Sequence, residues 1–175
     1  MLAVLAGAGA YQGWFEHFAL KFDDATVFTE ARLALKTIIS GGESGLRFQL
    51  AFDLFGKNLN GVTLPAGPNN LWDVRSAEGA VIQGHTFDVA IYYRPPLSKS
   101  DLINGLTQVL ITDIDTDTVV MAGSKSGVPM MGYSSSNVHR VMWNGLYTGG
   151  FPATGNISIE YSDNEAWSNR QLFPV

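Results

Sequence analysis

The side chains that could do chemistry are three histidines, a scatter of carboxylates and several serines, because the chain contains no cysteine. That absence excludes thiolate catalysis, a disulfide framework, and any zinc or iron–sulfur site built on thiolates. His85-Thr86-Phe87-Asp88, with His139 further along, has the residue types of a two-histidine, one-carboxylate iron site. On a strand such a site needs its carboxylate two residues after the histidine, on the same face. Phe87 holds that position and Asp88 faces the other way. His85 and His139 are therefore expected as surface or strand-edge residues. Asp113-Ile114-Asp115-Thr116-Asp117 is the densest acidic run. In an extended strand Asp113, Asp115 and Asp117 would line one face about 6.5–7 Å apart, a spacing that could serve a hard cation such as calcium. At a hairpin tip the same charges would discourage edge-to-edge aggregation. An EF-hand is excluded, because Thr118 stands where that loop needs glycine and Ser124 where it needs glutamate.

Serine chemistry has no local signature. Gly132-Tyr133-Ser134-Ser135-Ser136 and Gly42-Glu43-Ser44-Gly45-Leu46 both lack the last glycine of a nucleophile elbow. Gly123-Ser124-Lys125-Ser126-Gly127 is not a phosphate-binding Walker loop. Asp53, Asp73, Glu78, Asp88 and Glu160 could supply a carboxylate pair for glycoside hydrolysis, yet no two are singled out. The expectation is a protein that is not an enzyme, with no catalytic residue and no cofactor. Among the aromatic residues, Tyr92 and Trp167 fall off the apolar strand faces. With Trp14 they are the rings best suited to an interface, where Tyr and Trp are enriched.

Alternation of apolar and polar residues dominates the chain and predicts strands. Leu46, Phe48, Leu50, Phe52 and Leu54 alternate with Arg47, Gln49, Ala51 and Asp53. Phe87, Val89, Ile91 and Tyr93 alternate with Asp88, Ala90 and Tyr92, and Ile157, Ile159 and Tyr161 with Asn156, Ser158 and Glu160. Weaker strands are expected at residues 15–22, 71–74, 107–114, 118–122 and 138–147, with glycine- and proline-bearing turns between them. Residues 25–40 fit either a helix or a strand, and the β-branched run Thr37-Ile38-Ile39 favours strand. A short helix is predicted over residues 98–104. The fold class is all-β: an antiparallel two-sheet β-sandwich, jelly-roll-like, with an extended or short helical N-terminal arm. The divisions are an arm at residues 1–13, the sandwich at 14–162 and a tail at 163–175.

With 175 residues the chain is long enough for one domain with a real core. Its net charge of −5 argues against a surface for nucleic acid or an anionic membrane. Only 15% of residues are charged, against about 25% in an average domain, so part of the surface is expected to be covered. The Ala/Gly-rich arm carries Leu2, Val4, Leu5 and Tyr11, and the tail carries Leu172 and Phe173. These ends are the segments suited to partners. The arm fits neither a signal peptide, lacking a basic start, nor a transmembrane helix, being too short.

In architecture, with its arm, alternating strands, long loops and few charges, the chain resembles single jelly-roll structural proteins of virions. That resemblance implies a self-assembling capsid or other virion subunit, located in the virion, that forms homo-oligomers with other structural subunits as further partners. The arm has no Lys or Arg, so no direct nucleic-acid binding is implied; any membrane contact would run through that arm. The alternative is an extracellular or cell-surface β-sandwich that binds carbohydrate or a receptor.

Overall fold

A computed structural model describes residues 2–6, 13–23, 27–28, 33–41, 47–53, 58–64, 72–77, 79–82, 84–94, 105–126, 138–148, 152–154, 157–168 and 170–174. In chain order the strands are β1 (Leu2–Ala6), β2 (Gly13–Phe22), β3 (Val27–Phe28), β4 (Leu33–Gly41), β5 (Arg47–Asp53), β6 (Asn58–Leu64) and β7 (Trp72–Arg75). Then come β8 (Thr86–Arg94), β9 (Leu106–Asp113), β10 (Thr118–Ser126), β11 (Val138–Thr148), β12 (Pro152–Thr154) and β13 (Ile157–Ser168). Among the described residues every pairing is antiparallel. A six-stranded sheet runs β1-β11-β4-β5-β6-β7, a five-stranded sheet runs β10-β9-β8-β2-β13, and β12 pairs with β3. β10 approaches β7, so one edge of each sheet meets the other. The result is the expected two-sheet β-sandwich.

Within the ambiguous stretch, residues 27–28 and 33–40 are extended. β4 pairs with β5 from Ser40↔Arg47 to Thr37↔Leu50, where β-branched side chains suit a pleated surface better than a helix. Residues 2–6 of the arm are extended as well: Leu2, Val4 and Leu5 pair with Met142, Arg140 and His139 of β11 within the same chain. Tyr11 and the helix predicted over residues 98–104 lie outside the described residues. β13 continues to Ser168, so strand occupies much of the stretch assigned to the tail.

In the five-stranded sheet the inner face is nearly dry. Phe18, Leu20, Phe87, Val89, Ile91, Val109 and Ile111 are all fully buried. Cross-strand pairs Phe18↔Val89↔Ile111 and Leu20↔Phe87 stack them into continuous rows. The alternation in β8 breaks down halfway: Asp88 is half-buried, yet Ala90, Tyr92 and Arg94 on the same outer face are buried. The cause lies at the C-terminus. Gln108, on the outer face of β9, donates its amide N–H to the Phe173 carbonyl at 3.0 Å and accepts from the Leu172 N–H at 2.8 Å. Its side chain thus stands in for a strand neighbour. Leu172 packs on a second apolar cluster of Phe15, Ala90, Tyr92 and Leu106. The apolar tail docks on its own domain, and it buries the rings of the interface candidate Tyr92 and of Phe15. Trp14 is buried on the inner side.

Gly13 opens β2 where the backbone of β8 passes closest. A Cβ there would land against the Tyr93 carbonyl oxygen and within 3.0 Å of the Arg94 Cα, atoms that cannot swing aside. Gly13→Ala is therefore expected to cost about 1–3 kcal/mol, read as a lower denaturation midpoint at unchanged slope.

Candidate active site

On the outer face of the five-stranded sheet, β2 presents Phe15, His17, Ala19 and Lys21 in alternation, and β8 presents Asp88 one row from His17. The diagonal spacing lets the two side chains meet. His17 Nε2 lies 2.6 Å from Asp88 Oδ1. The other ring nitrogen, Nδ1, lies 2.8 Å from the Ser162 hydroxyl. Ser162 reaches it because β13 bulges there: the register jumps between Tyr161↔Phe18 and Asp163↔His17, so Ser162 is the extra residue. Bulges commonly re-aim a side chain beside a functional site. The side chains of His17 and Asp88 are 30% and 41% exposed, and Ser162 is exposed, so the group is open to a solute.

The distances fix the protonation pattern. A carboxylate only accepts, so Nε2 must carry the proton that bonds to Asp88. In neutral His17 the Nδ1 lone pair is then the acceptor, and the Ser162 O–H donates to it. That hydroxyl has a second acceptor, the His17 carbonyl at 3.2 Å. It can rotate from one to the other, freeing the Nδ1 lone pair as a base. Around this centre, Arg170 donates to Asp163 and to Glu165 at 3.1 Å, and its guanidinium stacks 4.7 Å from the Phe15 ring. The Phe15 and His17 rings lie 6.1 Å apart, which sets the imidazole beside the covered apolar cluster.

A second group gathers at the end of the same sheet. His85 Nδ1 lies 2.7 Å from Asp113 Oδ2, and the Thr86 N–H donates to Asp115 at 2.6 Å. The Asp113 Oδ1 accepts from the N–H groups of Asp115 and Thr116. Among the described residues, His85, Asp113 and Asp115 are the group whose donor atoms come within 4.8 Å of one another, close enough to hold a cation. Asp117 is not brought in. β9 ends at Asp113 and the chain turns through residues 114–117, with Asp117 at φ 51°. Of the two arrangements expected for the run, a strand lined by all three carboxylates and a hairpin tip, the structure has the hairpin tip, where an aspartate tolerates left-handed backbone. His85 and Asp88 serve different clusters, and His139 lies in β11 of the other sheet.

Burial alone would raise the Asp113 carboxyl. The hydrogen bond and charge of His85, with contacts from Asp115 and Thr116, outweigh it and hold the group below the usual carboxylate value. A folded value below the unfolded one adds stability above the ordinary carboxylate range, and that stability is lost as pH falls through the folded value. Acidification through this range is expected to lower the wild-type melting temperature. Asp113→Asn should flatten that dependence and cost about 1–3 kcal/mol at neutral pH. By contrast, burial raises Tyr92, with Arg94 opposing it, and burial pushes Tyr93 well above its ordinary value, so both phenols stay protonated.

Sequence reading missed the grouping of His17, Asp88 and Ser162. Asp88 is 71 residues from His17 and Ser162 is 145 residues away, so no local motif joins them. The available signal was the strand phase that puts His17 and Asp88 on outward faces.

No protein-family model matches the chain, and no curated protein matches it. Solved structures do. The alginate lyase vAL-1 from Chlorella virus superposes with a TM-score of 0.59 at 9% identity, covering 95% of this chain and 84% of that one. The marine PL-14 alginate lyase from Aplysia kurodai gives 0.57 at 10% identity, covering 90% of this chain and 71% of that one. A tetrameric galectin from the ball sponge Cinachyrella sp. gives 0.43 at 9% identity over 96% of this chain and 100% of that one. At these identities the likeness to the two lyases shows the fold, a jelly-roll-like β-sandwich. It also corrects the expectation of a protein that is not an enzyme, since two structures of this fold are lyases. Motif scanning leads to that expectation because the chemistry-bearing side chains are assembled by strand pairing and not by sequence neighbourhood.

Proposed function

We propose that the protein is a carbohydrate-active enzyme of the lyase type, cleaving a uronate-containing polysaccharide with His17 as the base. The observation that carries this reading is the carboxylate-backed imidazole of His17 on the open face of a sheet in a fold shared with two alginate lyases. In a uronate the carbon next to the carboxylate carries an acidified hydrogen. Nδ1 takes that proton, the electron pair forms a carbon–carbon double bond, and the glycosidic oxygen leaves. Protonated His17 then returns the proton to the leaving oxygen, which closes the cycle without water. Asp88 holds the Nε2 proton and steadies the imidazolium. Lys21, exposed on the same face of β2, supplies a positive charge for uronate carboxylates further along the substrate. Incubation with alginate and a panel of other polyuronates tests this, followed by the ultraviolet absorbance of the unsaturated product end. Rising absorbance with at least one polymer is expected. No rise with any of them overturns the reading, and binding without turnover would favour the carbohydrate-binding alternative.

A self-assembling virion subunit is the second reading. It is favoured by the 15% charged fraction and by Ile114 and Val119, which stand 55% and 56% exposed beside the β9–β10 turn. Light scattering of purified protein decides it: large regular oligomers are expected, and a stable monomer ends it.

A further inference from the structure

We infer that Ser162 is a nucleophile and that Ser162, His17 and Asp88 form an acyl-transfer triad hydrolysing esters, of the kind that O-acyl substituents on polysaccharides present. The activity goes beyond elimination and uses the same imidazole; only the polysaccharide part of its substrate rests on the lyase reading.

A serine nucleophile needs a base within hydrogen-bond reach, and the base needs a third group that fixes its tautomer. Ser162 Oγ is 2.8 Å from His17 Nδ1, and Asp88 is 2.6 Å from Nε2. The three come from three neighbouring strands, β13, β2 and β8, hydrogen-bonded side by side in one sheet, which gives the group a rigid base. The bulge at Ser162 sets both Ser162 and Asp163 opposite His17. Asp163 is held by Arg170, so its charge is matched, and Ser162 remains exposed for an incoming carbonyl. Relative to the common serine-hydrolase arrangement the two ring nitrogens have exchanged roles, with serine on Nδ1 and aspartate on Nε2.

Each step balances. The Ser162 oxygen adds to the ester carbonyl carbon while its proton passes to Nδ1. The carbon–oxygen bond to the alcohol breaks and the alcohol oxygen takes that proton, leaving an acyl-serine. Water, losing a proton to Nδ1, adds to the acyl carbon, and the serine oxygen departs with that proton. The products are a carboxylic acid and an alcohol, and no oxidant or reductant is needed.

An aryl acetate and a fluorophosphonate test the triad without any polysaccharide, so failure here and failure of the lyase reading are separate results. Wild-type protein is expected to hydrolyse the acetate and to take one phosphonate group, located at Ser162 by peptide mass spectrometry. Ser162→Ala and His17→Ala should both abolish labelling and lower hydrolysis about a hundredfold. Because the chain has no cysteine, Ser162→Cys introduces a single thiol whose alkylation rate reports activation by His17. That rate should fall when His17→Ala is added. Labelling elsewhere, wild-type hydrolysis in Ser162→Ala, or a thiol indifferent to His17 each overturns the triad and leaves a structural hydrogen-bond chain.

Discussion

Replacing His17 with alanine is expected to lower polyuronate cleavage by about 10²–10⁴-fold, the usual contribution of a positioned general base. The loss should fall on kcat, because the imidazole acts on a hydrogen that moves only in the transition state. Asp88→Asn tests the same step from behind. An amide can accept the Nε2 proton through its oxygen but carries no charge to steady the imidazolium. It can also turn its NH2 group to the ring and impose the wrong tautomer. A large kcat loss with an unchanged melting temperature is expected there too. The fold should tolerate both changes, since the two side chains are partly exposed and close no core. If His17→Ala cleaves polyuronate at the wild-type rate, His17 is not the base.

Phe87, Val89 and Ile91 show how far the sequence could be read. Their alternation with Asp88 and Ala90 specifies a strand and its inner face, and that face is dry in the structure. Tyr92 shows the limit. It sits on the outward phase, so alternation assigns it to solvent or a partner, whereas the tail, held by Gln108, covers it. Nothing local in the β9 sequence distinguishes Gln108 from an ordinary outward polar residue. The site was hidden for the same reason. Phase puts His17 and Asp88 on outward faces, but only the pairing of β2 with β8 makes them neighbours, and only the β13 bulge brings Ser162 in. Pairing depends on contacts between distant segments, which period-two patterns do not encode. Asp113 and Asp115 differ: the acidic run and its hairpin tip are legible locally, whereas the approach of His85, 28 residues away at the head of β8, is not.

The two faces of β2 should respond unequally to the same truncation. Phe18→Ala removes a fully buried ring from the inner face, on a strand held in register by β8 at Val89 and by β13 at Tyr161. Strands hydrogen-bonded on both sides cannot collapse into the space, so a cavity persists and the loss is expected to be about 3–5 kcal/mol. Against a typical total stability of about 5–15 kcal/mol, that is a large fraction. Phe15 is almost equally buried, but its cover is Leu172 and the Arg170 guanidinium, parts of a tail tied down through Gln108. A strap of that kind can sink toward a missing ring, and its own opening requires no unfolding of the sandwich. Phe15→Ala should therefore fall at or below the lower end of the Phe18 range. Urea unfolding of both variants, compared by midpoint at matched slopes, reads the difference. Equal losses would mean that the docked tail is as rigid as the sandwich and that the second cluster belongs to the same cooperative core.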